Sequence, residues 1–281
     1  MMRSAQADSG MSFLRLIDDA EDKRANIIFL THGALHRALD DGFAKLAVIK
    51  RAFKGRSSLT AQRANFERFA GRLLRMSSKI DRLAPDLMGT LIERPYEAWL
   101  RTIHRTHEEL KVLITDDPVP RHFAEALDDL DSAQVEALAE ALLAMPIRES
   151  TNIDERLKAI RHELSTILSE VWKELLRKAS FRSPLLILDE AHHVKNPATR
   201  LASLFVDDEA AAESKFFECG GALGGKFDRM LFLTATPFQL GHTELVHILE
   251  RFEGITWTNR RKPLLDRTAF KTELTELAAA L

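Results

Sequence analysis

The segment Leu185 Leu186 Ile187 Leu188 Asp189 Glu190 Ala191 His192 His193 constrains the fold more than any other, because few architectures accept a short apolar run that stops abruptly at two carboxylates and two imidazoles. An unbroken run of this kind reads as a parallel strand buried on both faces. Ligands in open α/β sheets sit just beyond the carboxyl ends of such strands, so the run would deliver Asp189 and Glu190 to the place where chemistry is done. Carboxylates there suit nucleotide hydrolysis, the first holding Mg²⁺ through its water shell and the second orienting or deprotonating the attacking water. A strand ending in Asp-Glu can equally cap a following helix, and on these residues alone the two readings balance.

A second run shifts the balance. Met230 Leu231 Phe232 Leu233 opens into Thr234 Ala235 Thr236 Pro237 Phe238 Gln239. Two hydroxyls at the end of a neighbouring strand could hydrogen-bond the Asp-Glu-Ala-His segment and transmit nucleotide state to a bound partner. The expectation is geometric: two parallel strands side by side, with the acidic tip and the threonine tip facing one crevice.

Together these segments resemble the superfamily 2 helicases and translocases, with Asp189 Glu190 Ala191 His192 as motif II (Walker B) and Thr234 Ala235 Thr236 Pro237 as motif III. The continuation His193 Val194 Lys195 Asn196 Pro197 is similar to the Swi/Snf branch, although Ala235 stands where many members have Gly and Leu240 where they have Asn. Glu244 Leu245 and Ile248 Leu249 fit the helix that follows motif III in that branch. Ile27 Ile28 Phe29 Leu30 followed by Thr31 His32 Gly33 is similar to motif Ib, which in relatives touches the nucleic-acid backbone. The resemblance implies that Asp189 binds Mg²⁺ through water, that Glu190 activates water, and that His192, Thr234, Thr236 and Gln239 couple hydrolysis to DNA movement. It places Thr31, His32, Lys195 and Asn196 among the nucleic-acid contacts.

No phosphate loop of the form Gly-x-x-x-x-Gly-Lys-Ser/Thr occurs. The polar stretch before Ile27 is expected to be too short for the strand, loop and helix of a complete βαβ unit, which takes ~30 residues. Gly220 to Phe227 matches Gly-x-x-x-x-Gly-Lys but carries Phe227 in place of the hydroxyl and is followed by a strand rather than a helix. It reads as a flexible glycine loop leading into the motif III run. The stretch after Phe238 is likewise expected to be too short for a second lobe, and Arg260 and Arg261 do not sit in an arginine-finger setting.

From Thr31 to Phe181 helical periodicity prevails and reads as a large all-helical insertion. Helices are expected near 33–54, 57–83, 95–110, 131–145 and 152–179, separated by Gly55, Pro85, Pro95, Pro118, Pro120, Pro146 and Pro184. In the last of them Ile153, Leu157, Ile160, Leu164, Ile167 or Leu168, Val171 and Leu175 form an apolar seam that reads as core packing. Across residues 45 to 82, Lys45, Lys50, Arg51, Lys54, Arg56, Arg63, Arg68, Arg72, Arg75, Lys79 and Arg82 face only Glu67 and Asp81. That excess suits a salt-sensitive, sequence-independent phosphate contact in which Arg68, Arg72 and Arg75 are central. It suits equally a face answered by the acidic segment from Asp116 to Glu140. His104 and His107 lack a third metal ligand and read as packing or surface histidines.

Composition excludes several broad classes. At 281 residues, 45% hydrophobic and 29% charged, the chain is not disorder-like, and no apolar run approaches the ~20 residues that span a bilayer. The lone Cys219 cannot form an intrachain disulfide, which points to the cytoplasm.

The expected fold is therefore α/β: an incomplete RecA-like parallel sheet in a predominantly helical chain, with residues 1–32 and 181–281 as parts of the lobe and 33–180 as the insertion. The expected function is a fragment or truncated form of a DNA-dependent ATPase using ATP and Mg²⁺, with little or no hydrolysis by the chain alone. Two alternatives stay open: a non-catalytic module binding nucleic acid or protein, and one half of a split motor whose partner polypeptide supplies Walker A and the second lobe.

Overall fold

Strand β1 (Ser4–Ala7), helix α1 (Gly10–Asp18) and strand β2 (Ile27–Leu30) form a small βαβ unit, the strands running parallel with Ser4 opposite Ile27 and Ala7 opposite Leu30. The Ser-Ala-Gln-Ala strand has little intrinsic β character and is held by pairing: Asn26 and Ile27 N–H both donate to the Arg3 carbonyl, at 2.9 and 3.2 Å. Helix α1 starts on a reciprocal serine cap, in which Ser12 N–H donates to Ser9 Oγ and Ser9 N–H to Ser12 Oγ, at 3.2 and 3.0 Å. The computed structural model describes residues 2–18, 23–31, 34–35, 39, 41–75, 80, 84–148, 152–196, 199, 201–205, 221–234, 242–257 and 264–280. These divide into two compact units, Met1–Leu175 and Leu176–Leu281.

The first unit is mostly helical. Helix α2 (Gly42–Phe53) is capped by Asp41, whose carboxylate accepts from Phe43 and Ala44 N–H. There follow α3 (Ser57–Thr60), α4 (Arg63–Leu74), α5 (Ala84–Glu93), α6 (Trp99–Thr106), α7 (Arg121–Asp129), α8 (Glu136–Leu143) and α9 (Ile153–Lys178), whose last residues, from Leu176 on, belong to the second unit. The α9 seam is buried as expected, with Ile153, Leu157, Ile160, Leu164, Ile167, Leu168, Val171 and Leu175 all at most 5% exposed.

Elsewhere the helix boundaries differ from expectation for identifiable reasons. The run expected over 57–83 stops at Arg75, which adopts the left-handed conformation (φ 54°, ψ 49°) and donates its N–H to the Gly71 carbonyl. Helix α5 is absent from the expected set because Pro85 reads as a breaker, yet this proline occupies the first turn, where it is tolerated. Helix α7 begins at Arg121 with Pro120 as its N-cap, again a proline that opens a helix.

In the second unit β3 (Leu186–Leu188) and β4 (Met230–Phe232) pair in parallel, Leu186 opposite Met230 and Leu188 opposite Phe232, as the two apolar runs require. Helices α10 (His242–Glu250) and α11 (Arg267–Ala280) complete the unit. One face of the sheet is covered: Phe232 stacks on Phe252 at 4.5 Å and meets Phe205 edge-on at 6.3 Å. The expectation of burial on both faces is not met. Leu185, Ile187, Leu231 and Leu233 share the opposite face by strand parity and are 43–55% exposed. Ile27 and Phe29 of β2 are similarly exposed in the first unit, so the apolar runs there too pack on one side only.

The chain is thus mainly helical, with two small parallel two-stranded sheets. Among the described residues no helix is long and apolar enough to cross a membrane.

Candidate functional site

At the carboxyl end of β3 the backbone turns sharply. Asp189 Oδ1 accepts the Glu190 N–H at 2.9 Å, and Glu190 itself sits in the left-handed region (φ 52°, ψ 48°). A non-glycine residue held there costs on the order of 1–3 kcal/mol, which surrounding structure must offset. That structure is a short 3-10 turn, Ala191–Val194, anchored by the buried Ala191 and Val194 side chains. Ala191 N–H donates to the Leu233 carbonyl at 2.8 Å, so the Asp-Glu-Ala-His segment is tied directly to the residue preceding Thr234. Asp189 and Glu190 are both exposed, and Thr234 is half-buried at the same strand end. The two tips therefore lie side by side, as the sequence requires, on an open rim.

The imidazole of His192 packs against that of His193, ring centres 4.2 Å apart, and its Nδ1 lies 3.1 Å from Glu190 Oε2. That distance permits an ion pair with the protonated ring, although the alignment is not that of a hydrogen bond. Beneath the turn Arg251, 3% exposed, donates Nε–H to the Val194 carbonyl at 3.4 Å. Lys195, expected to meet nucleic acid, pairs with Glu244 at 2.9 Å. Sequence reasoning misses Arg251 altogether, since nothing in the spacing marks an arginine so distant in the chain as the support of this turn. It finds Glu244 only as part of a helix and not as the partner of Lys195.

Of the remaining motif residues, Asn196 follows the turn and its carbonyl accepts from Thr199 N–H and Oγ1. Thr31 belongs to the first unit, where its hydroxyl donates to the Asp8 carbonyl at 3.3 Å and helps close the βαβ loop. His32, Ala235, Thr236 and Gln239 lie outside the described residues. Among those described, no group of three His, Cys, Asp or Glu side chains is placed to hold a metal. His104 packs through Nε2 onto the Ile114 carbonyl at 2.7 Å, in keeping with the packing reading.

The basic excess of the first unit is largely answered from within. Lys54 pairs with Asp128 at 3.0 Å and Arg56 with Glu136 at 2.9 Å, so the acidic segment does dock on the first helices. Lys50 donates to the Ile92 and Arg94 carbonyls, and Arg51 to those of Leu127 and Leu130. Arg63 is shared between Glu67 and Glu93, and burial of this group is more than balanced by those two carboxylates, which raise its pKa. Arg68 donates to the Ile147 carbonyl at 2.6 Å and Arg72 pairs with Asp154 at 2.9 Å. The Arg75 side chain makes no such contact among the described residues.

The described part of the glycine segment, residues 221–226, forms a hydrogen-bonded turn. Leu223 N–H donates to the Leu204 carbonyl at 2.7 Å and Gly225 N–H to the Gly254 carbonyl at 2.8 Å. Lys226 does not face a phosphate cradle: its ammonium donates to the Arg177 and Ala179 carbonyls, closing the carboxyl end of α9, and lies 5.8 Å from the Phe181 ring centre. Burial, and secondarily Arg182, push its pKa down. Lys226→Met is accordingly expected to destabilise the chain by about 1.5–3 kcal/mol, the range for hydrogen bonds from a charged donor, with nucleotide affinity unchanged; urea unfolding and nucleotide titration of the same variant check both halves. No protein-family model matches this chain, and neither a curated protein nor a solved structure matches it.

Proposed function

We propose that residues 181–281 supply the Walker B and motif III portion of a superfamily 2, Swi/Snf-like, DNA-dependent ATPase, within an incomplete RecA-like lobe. The observation that carries this reading is the parallel pairing of β3 with β4, which sets Asp189 and Thr234 at one strand end and joins Ala191 to Leu233. The left-handed Glu190 adds to it, because non-glycine residues in that conformation cluster where function demands it.

In this reading Asp189 would hold Mg²⁺ through water, its Oδ2 being left available by the bond that Oδ1 accepts from Glu190 N–H. Asp189 is exposed, so its carboxylate is open to water-mediated contact with Mg²⁺. When bound, the ion neutralises charge on the transferring phosphoryl group. Glu190 then orients or deprotonates water from the rim, and His192, 3.1 Å from that carboxylate, senses its charge. The bond from Ala191 N–H to the Leu233 carbonyl is the link by which Glu190 would be coupled to β4 and Thr234. Phosphate positioning dominates phosphoryl transfer, and these residues contain no Gly-Lys-Ser/Thr loop, so little or no hydrolysis by them alone is expected. DNA is the proposed partner, and the cytoplasm the proposed location.

A fluorescent-nucleotide titration of the full chain tests this. Expected is weak binding that requires Mg²⁺, is lost in Asp189→Asn and survives in Glu190→Gln, with no hydrolysis above background. Tight binding, or binding indifferent to both Mg²⁺ and Asp189→Asn, overturns it.

A further inference from the structure

Where the carboxyl end of α4 meets the first turns of α9, the first unit carries an open cleft of about 760 Å³ lined by Arg72, Arg75, Lys158, Arg161 and His162. Asp154 and Glu155 are the acids on its wall. The α9 members recur at positions that share one side of the helix, away from its buried seam. The α4 half of this surface is visible in the sequence as a basic run, whereas the α9 half lies several helices further along the chain.

The charges do not cancel. Arg72 is matched by Asp154 at 2.9 Å, leaving Glu155 to face Arg75, Lys158 and Arg161. Arg161 is fixed in place, donating from Nε to the Leu73 carbonyl and from a terminal nitrogen to the Arg72 carbonyl, at 3.2 and 3.0 Å. It thereby closes the end of α4 while keeping its charge at the cleft. Burial lowers its pKa, the Arg75 and Arg72 cations lower it further, and Asp154 opposes them. Among the described residues the side chains of Arg75 and Lys158 make no hydrogen bond or ion pair. Arg75 also holds a conformation that glycine adopts more readily, so a long cation stands at a position where local stability favours no side chain at all.

We propose that this cleft is a phosphate-binding site in which Arg75 and Lys158 make the direct contacts and Arg161 is the preset third cation. A guanidinium fork and an ammonium converging from two helices suit the non-bridging oxygens of a phosphate group. The site takes either the phosphodiesters of a DNA duplex or a free polyphosphate, which present the same oxygens. It involves no residue of β3 or β4, so it stands or falls independently of the nucleotide titration above; the motor reading bears only on which phosphate source is used.

The test uses the full chain, a short labelled DNA duplex and inorganic tripolyphosphate, each titrated against wild type, Arg75→Gly/Lys158→Gln, and the charge-matched control Arg101→Gln/Arg105→Gln, whose cations are exposed on α6. Each phosphate contact contributes roughly eightfold to duplex affinity at about 0.1 M salt, so losing two is expected to weaken binding roughly 60-fold and to lower the salt slope by about 2. The control is expected to bind like wild type. Because Arg75→Gly relieves a left-handed arginine, the double variant is expected to melt no lower than wild type, which separates lost binding from lost folding. Tripolyphosphate binding with the same sensitivity, without duplex binding, assigns the site to free phosphate and upholds it. Absence of binding to both probes, a double variant equal to wild type, or a control that loses as much overturns it.

Discussion

Gly221→Ala is expected to destabilise the chain by about 2–5 kcal/mol, since a left-handed side chain costs about 1–2 and overpacking about 1–3. Gly221 has φ +93°, and a Cβ there would lie 2.5 Å from the Phe205 carbonyl carbon and 2.6 Å from the Leu204 oxygen. Both are backbone atoms, so no side-chain rotation relieves the overlap. The segment they belong to also receives the Leu223 N–H and places Phe205 against Phe232 on β4. Displacing it disturbs the covered face of the sheet that carries Asp189. Gly55 provides the comparison, because at φ +76° a methyl group added to it would meet nothing within 4 Å. Gly55→Ala is therefore expected to lose only the conformational part, about 1–2 kcal/mol. Denaturant unfolding of both variants measures the difference, and equal losses would dismiss the steric argument.

Trp99→Ala is expected to cost about 3–5 kcal/mol, the range for truncating a large buried aromatic. Trp99 is fully buried, meets Tyr96 edge-on at 5.5 Å, and donates Nε1–H to the Arg94 carbonyl at 3.1 Å. That carbonyl also accepts from Lys50, while the Tyr96 hydroxyl donates to the Ala47 carbonyl at 3.2 Å. Burial, followed by the nearby Asp128 charge, holds the Tyr96 hydroxyl neutral by raising its pKa. One indole thus joins the turn before α6 to α2. Trp99→Phe keeps most of the apolar area and forfeits the hydrogen bond, so a loss of about 1 kcal/mol is expected. A thermal or urea series across Ala, Phe and wild type separates packing from hydrogen bonding.

Legibility in the sequence tracks how local the cause is. The α9 seam is legible because the helical period alone determines which of Leu157, Leu164 and Val171 face inward. The parallel pairing of β3 and β4 is legible because two apolar runs ending in complementary polar tips leave few other arrangements. Strand β1 is not: its polar residues are extended because β2 offers partners, and pairing across a helix leaves no local trace. Pro85 and Pro120 mislead because proline ends helices from within and opens them from the first turn, and composition does not distinguish the two. The basic surface is legible as an excess but not as an outcome, since Lys54 and Arg56 find their carboxylates only after α7 and α8 fold back. Arg251 is invisible for the same reason, its target being the Val194 carbonyl.

The aliphatic side of β3 and β4 has a practical consequence. Ile187 and Leu231 sit opposite each other in register, with Leu185 and Leu233 extending the same stripe toward either end. Water in contact with such a stripe is readily expelled by any similar surface, and short strands bearing it are prone to self-association as concentration rises. With a net charge of only -2 there is little electrostatic repulsion to oppose such association, so this stripe is one surface through which copies of the protein are expected to meet.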